Sequence, residues 1–84
     1  MSYKVLILRS AQKELAALQH EHYDNVKTSI QGLSTEPRPG GCRKLIGRDG
    51  WRIRIGDYRV IYDIDDGNNT VTVLDIGHRR EIYR

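Results

Sequence analysis

Trp51-Arg-Ile-Arg-Ile-Gly-Asp-Tyr-Arg-Val-Ile-Tyr62 reads as a β-hairpin closed at Gly56-Asp57. A two-residue turn there puts Ile55 opposite Tyr58, Arg54 opposite Arg59, Ile53 opposite Val60 and Trp51 opposite Tyr62. Side chains alternate along a strand and align across it. Trp51, Ile53, Ile55, Tyr58, Val60 and Tyr62 therefore share an apolar face, while Arg52, Arg54 and Arg59 share the other. A slip of one residue would bury charge, so the register is set by what it hides.

Two arginines directly across a ladder, roughly 5 Å apart, repel by about 1 kcal/mol in water and by about 3 kcal/mol at an effective dielectric of about 20. Favourable cross-strand pairs contribute only about 0.2–1 kcal/mol each. An anion held between the guanidinium groups would account for such a face, because arginine presents a rigid fork of donors suited to phosphate. The alternative is a wet face, on which the arginines fan apart or pair with Asp63 or Asp65.

The chain has 84 residues, which suits one domain spanning 1–84. A domain of that size buries only about 60–65% of its unfolded surface, which argues against a deep enclosed pocket. The lone Cys42 cannot form an internal disulfide, and no cationic-plus-apolar leader or run of about 18 apolar residues marks export or a membrane span. A cytoplasmic location is the expectation. The net charge is +3 with a pI near 9.2. Residues 1–37 balance four basic against four acidic side chains, whereas 38–84 carry ten against seven. Ten of the fourteen basic residues are arginine, which favours recognition of phosphate or carboxylate over mere solubility.

Tyr3-Lys-Val-Leu-Ile-Leu8 is a short β-prone run, giving a strand over 3–8. Ser10 is a candidate N-cap for a helix over 11–20, with Ala11, Leu15 and Leu18 on one stripe. His20-Glu-His22 interrupts the pattern, and Tyr23, Val26, Ile30 and Leu33 resume it until Gly32, Ser34, Pro37 and Pro39 end it. The result is a helical hairpin with narrow apolar stripes, for which the apolar face of the 51–62 hairpin is the natural partner. His20 and His22 point about 200° apart on a helix and read as solvated junction residues rather than a metal pair. Cys42 reads as a small buried side chain.

Residues 37–50 form a Pro/Gly loop broken by a brief strand within Cys42-Arg-Lys-Leu-Ile46. Its glycines match neither a P-loop nor a dinucleotide fingerprint. Arg38, Arg43, Lys44 and Arg48 either extend the basic surface or keep the loop soluble. Asp65-Asp-Gly-Asn-Asn69 is a turn. In the strand from Thr70 to Ile76, Val71 and Val73 fall on one face and Leu74 and Ile76 on the other, as in a central or covered strand. The tail is Gly77-His-Arg-Arg-Glu-Ile-Tyr-Arg84.

The arginine-bearing hairpin and the tail Ile76-Gly-His-Arg-Arg-Glu-Ile-Tyr83, supported by Leu45 and its proline–glycine loop, resemble the RelE/ParE toxin superfamily, and specifically its RelE-like mRNA interferase branch. The resemblance spans nearly the whole chain. It implies an α+β fold: an N-terminal strand, a helical hairpin, then a three-stranded antiparallel run forming a sheet with the helices on one face. It also implies a type II toxin that cleaves translated messenger RNA in the ribosomal A site, against 16S rRNA, with no metal and no cofactor. A cognate antitoxin would silence it. The competing branch, ParE-like inhibitors of DNA gyrase, is non-enzymatic and is not expected to need an arginine-plus-tyrosine tail.

By that resemblance Arg54, Arg59, His78, Arg79 and Tyr83 are the candidate catalytic residues. Arg43, Lys44, Arg48, Arg52 and Arg80 are candidate RNA contacts. RelE-like relatives carry lysines where this chain has Arg52 and Arg54, and another branch uses a glutamate base. Cleaving RNA without a metal requires deprotonating a 2′-hydroxyl, stabilising the phosphorane and protonating the departing 5′-oxygen. Arg54 and Arg59 suit the phosphate and Arg79 the transition state or leaving group. Tyr83 suits base catalysis or base stacking, and His78 suits proton transfer.

Overall fold

The computed structural model describes residues 2–78. Along the chain run β1 (Lys4–Ile7), α1 (Arg9–Ala16), α2 (His20–Gly32), β2 (Arg43–Lys44), β3 (Trp51–Ile55), β4 (Tyr58–Asp65) and β5 (Thr70–His78). The five strands form one sheet in the order β1-β5-β4-β3-β2. β1 lies parallel to β5 and the other pairs are antiparallel. The expected three-stranded run is thus β3-β4-β5, extended by the two-residue β2 at one edge and by β1 at the other.

The hairpin has the register expected from its sequence, Ile55 with Tyr58 through Trp51 with Tyr62. Gly56 takes a φ of +61°, which glycine adopts without a steric penalty. Both helices pack on the apolar face. Ala11 and Leu15 from α1, and Val26, Ile30 and Leu33 from α2 and its end, share one buried cluster with Ile53, Val60, Tyr62, Val71, Val73 and Ile76.

The helix limits differ from expectation. Leu8 N–H donates to Val73 O at 3.0 Å, so β1 runs straight into α1, whose first bond is Gln12 N–H to Leu8 O. Ser10 is therefore inside the helix, and Leu8 stands at the N-cap position without a side-chain cap. The Gln12 amide donates instead to Ile7 O. α1 stops at Ala16, and His20 to His22 form the first turn of α2 rather than a break between helices.

β5 departs from simple alternation. Ile61 pairs with Asp75 but Tyr62 pairs with Val73, which leaves Leu74 as an extra residue in a β-bulge. The bulge resets the side-chain parity, so Val71, Val73 and Ile76 all enter the core. β5 is central, as expected. Its mixed pattern comes from the bulge, not from two covered faces.

Two long-range clasps hold the proline loop. Tyr62 is 0% exposed, and its hydroxyl donates to Pro37 O at 2.8 Å. Burial, with Cys42 nearby, pushes that phenol's pKa well up. Cys42 itself is only half-buried, packed against the core cluster. Arg38 pairs with Asp66 at 2.9 Å, and Tyr3 donates to the same carboxylate at 2.6 Å. The Arg38 guanidinium also lies 5.0 Å from the Trp51 ring centre, in cation–π range. Gly50, at φ +125°, lets Leu45 and the Tyr62 carbonyl approach to 3.2 Å of where a Cβ would stand.

Tyr62→Phe should keep the fold but lower stability by about 1–2 kcal/mol, because the buried Pro37 carbonyl loses its donor. Tyr62→Ala should remove about 3–5 kcal/mol through the cavity it leaves. Denaturant melts of both variants check this, and a Phe variant as stable as the parent would show that the clasp contributes nothing. Asp66 gives a pH signature. Its hydrogen bonds from Arg38 and Tyr3 hold its pKa below the usual aspartate range, so the stability the clasp contributes is fully present above that range and is lost as pH falls through the lowered pKa beneath it.

Candidate functional site

The face of the sheet turned away from the helices carries the arginines in two adjoining rows. One row runs Arg54, Arg59, Gly77 across β3, β4 and β5. The next runs Arg43, Arg52, Ile61, Asp75 across β2, β3, β4 and β5. Farther along, Asp63, Thr72 and Leu6 align across β4, β5 and β1. Positive charge therefore gathers at the Gly56 end of the open face.

The two facing arginines are not equivalent. Arg54 is exposed, whereas Arg59 is only 5% exposed and donates from Nη1 to Tyr58 O at 3.2 Å. Opposite Arg59 stands Gly77, which has no side chain to crowd the guanidinium. Pairing with Asp65 does not occur, because that carboxylate accepts from Asn68 N at 3.1 Å and Nδ2 at 2.8 Å, bonds that lower its pKa. Asp63 instead aligns with Thr72.

Two open grooves flank β3. One of about 340 Å³ is lined by Arg43, Lys44, Arg48 and Arg52, with Ile61 at its floor and Ile46 fully exposed at its lip. Another of about 560 Å³ runs along the β3 edge past Arg43, Arg52 and Arg54 to Ser29 and Gly32 of α2. Both are shallow and cationic, so they suit an extended polyanion better than a small enclosed ligand.

His78 is placed elsewhere. It aligns with Tyr58, and so lies on the helix side of the sheet. There its ring stands edge-on to Tyr58 at 5.7 Å, with His22 of α2 also against Tyr58 at 4.9 Å. The structure thus does not bring His78 to Arg54 and Arg59, because strand parity sends consecutive residues to opposite faces. His22 is part of this aromatic contact rather than simply solvated, whereas His20 is exposed and pairs with Asp24 at 3.4 Å. Glu14 lines the same helix-side groove, where its carboxylate accepts from Ile76 N–H at 3.3 Å. Arg79, Arg80 and Tyr83 lie outside the described residues.

Two residues have places here that sequence reasoning did not give them. Arg38, expected either to extend the basic surface or to keep the loop soluble, is the bridge to Asp66 and Trp51, and nothing local in the sequence signals a partner 28 positions away. Asp75 sits on the arginine face, half-buried, and the only trace of this in the sequence is the broken alternation around Leu74.

A family model described as the ParE toxin of type II toxin–antitoxin systems, parDE, matches residues 5–83. The toxin RelG of Mycobacterium tuberculosis is 36% identical over 88 residues, covering 100% of this chain and 99% of that protein. The fold matches the archaeal RelE–RelB complex of Pyrococcus horikoshii with a TM-score of 0.83 at 33% identity, covering 94% of this chain and 97% of that one. It matches the RelBE2 toxin–antitoxin complex of M. tuberculosis with a TM-score of 0.82 at 31% identity, covering 94% and 93%. A two-helix layer on a five-stranded sheet, an arginine-rich open face and these similarities have one reading: the chain belongs to the RelE/ParE superfamily and is a toxin of the type II toxin–antitoxin class.

Proposed function

We propose that this toxin is a ribosome-dependent endoribonuclease that cuts messenger RNA in the ribosomal A site. The observation that carries the reading is the pair of adjoining cationic rows, Arg54–Arg59 and Arg43–Arg52, on the face free of helices. Facing like charges oppose the fold, so setting Arg54 directly across from Arg59 adds no stability of its own. A phosphodiester laid across the rows would meet guanidinium donors on both sides. Such donors stabilise the extra negative charge that develops on the phosphorane. Loop residues Lys44 and Arg48 would hold the flanking backbone by charge, with little dependence on sequence.

The site is open and shallow, so the protein has few means of orienting a flexible RNA alone. Ribosome and codon supply that orientation, which is worth several kcal/mol of barrier when a nucleophile is held in line. In the tail, Arg79 and Tyr83 would approach the phosphate and Arg80 the RNA backbone. His78, on the far face, is left out of the cleavage site. A cognate antitoxin is the expected partner, in keeping with the RelE–RelB and RelBE2 complexes to which the fold is similar. An acidic or amphipathic segment of it would lie over the arginines, where charge complementarity gives fast and specific binding. The second reading, a ParE-like inhibitor of DNA gyrase, has the name of the matching family model in its favour.

Mapping messenger RNA 5′ ends decides between the two. Cleavage is expected within A-site codons on programmed ribosomes, with naked RNA cut at least about 10²-fold more slowly, given the part that orientation plays. Equal cleavage of naked RNA, or inhibition of purified gyrase without cleavage, would overturn the proposal. The arginine pair gives a separate test. Arg54→Gln should raise stability by a few tenths to about 1 kcal/mol, because it relieves a like-charge pair at an exposed position, and should slow cleavage by about 10²-fold. Arg59→Gln should instead lower stability by about 1–3 kcal/mol, since its stem and guanidinium are buried. Melts and single-turnover cleavage on both variants check these outcomes.

A further inference from the structure

The cleavage reading needs a general base, and the arginines of the open face do not supply one. Arginines are permanently charged and cannot accept a proton. Asp75 can, and its position is unusual. The helix side of β5 holds Val71, Val73 and Ile76, and in a regular strand a residue two after Val73 would join them. The extra residue at Leu74 turns Asp75 to the opposite face, where it aligns with Ile61 and stands two residues from Gly77, the partner of Arg59. Bulges recur where a strand must re-aim a functional side chain.

We infer that Asp75 is the general base for RNA cleavage, delivered to the arginine face by the Leu74 bulge. This rests on the ribonuclease reading above. Three observations favour it. Asp75 is in the same row as Arg43 and Arg52 and diagonal to Arg59, so it stands beside any phosphate those arginines hold. Asp65 and Asp66 are committed to Asn68 and Arg38 at the far end of β4, and cannot reach that position. Asp63, also on the open face, aligns with Thr72 and so stands one row farther from Arg54 and Arg59 than Asp75 does.

The step balances. Asp75 takes the proton of the 2′-hydroxyl as the 2′-oxygen forms a bond to phosphorus, and the bond from phosphorus to the 5′-oxygen breaks. The 5′-oxygen is protonated through water, which recovers the proton from Asp75. The products are a 2′,3′-cyclic phosphate and a 5′-hydroxyl, with no change in oxidation state.

The test is single-turnover cleavage on programmed ribosomes across pH, for the parent, Asp75→Asn and Asp75→Glu, with ribosome binding and melting temperature measured alongside. Asp75→Asn should cleave about 10²–10⁴-fold more slowly, the range general base catalysis supplies, while binding ribosomes as the parent does. The parent's rate should rise with pH as the base loses its proton, the Asn variant should lose that rise, and Asp75→Glu should recover part of the rate with the rise intact. Cleavage by Asp75→Asn within about threefold of the parent, or an unchanged pH dependence, would overturn the inference. So would a parent profile with no acid limb, even if the Asn variant fails to fold. A parent that does not cleave on ribosomes at all would sink the ribonuclease reading itself, an outcome visible before any variant is compared.

Discussion

Strand alternation is the constraint on which this protein depends. Each residue of β3, β4 and β5 must face either the helices or the open side, and the turn at Gly56 and Asp57 fixes the choice for the hairpin in one stroke. Burying Tyr62, Val60 and Ile53 under two helices leaves Arg52, Arg54 and Arg59 no other place to go. Core formation and charge display are therefore one event. The helices contribute by covering one side only. Their stripes are narrow, and Ala11, Leu15, Val26 and Ile30 are buried only because the sheet supplies the rest of the core.

Within the charged face, burial separates the work of two chemically identical side chains. Arg59, nearly closed off from water, carries a desolvation penalty that hydrogen bonds such as the one to the Tyr58 carbonyl offset in part. Its charge also acts in a medium of lower dielectric, where its pull on an anion is stronger than that of a solvated guanidinium. Arg54, out in solvent, adjusts easily and is screened by salt. A buried donor beside an exposed one is a workable clamp for an anion.

The hairpin register was legible down to residue pairs, because alternation and a two-residue turn leave one arrangement that hides the aromatics. The helical hairpin was legible in kind but not in its limits. Ser10 looked like a cap on local grounds, whereas a backbone bond from Leu8 to Val73 starts the helix earlier, and no local pattern encodes a strand 65 residues downstream in register with Leu8. The bulge at Leu74 was visible only as a flaw in the alternation, and reading that flaw as two covered faces hid where Asp75 would go. Arg38 could not be read as a bridge from sequence, since its partners Asp66 and Trp51 belong to different turns and strands. For the site, the cationic face followed from the hairpin alone. The side taken by His78 needed the β4–β5 register, which depends on the same bulge.

The parallel pairing of β1 with β5 has a consequence for how the protein is made. Lys4 to Ile7 align with Thr70 to Val73, and Tyr3 reaches Asp66, 63 residues further on. Contacts of such separation form only after the intervening chain exists and has been brought to order. During translation the N-terminal strand thus waits, unpaired, until β5, its neighbour in the sheet, has left the exit tunnel. A toxin built this way has no complete sheet behind its basic face until β5 has been synthesised.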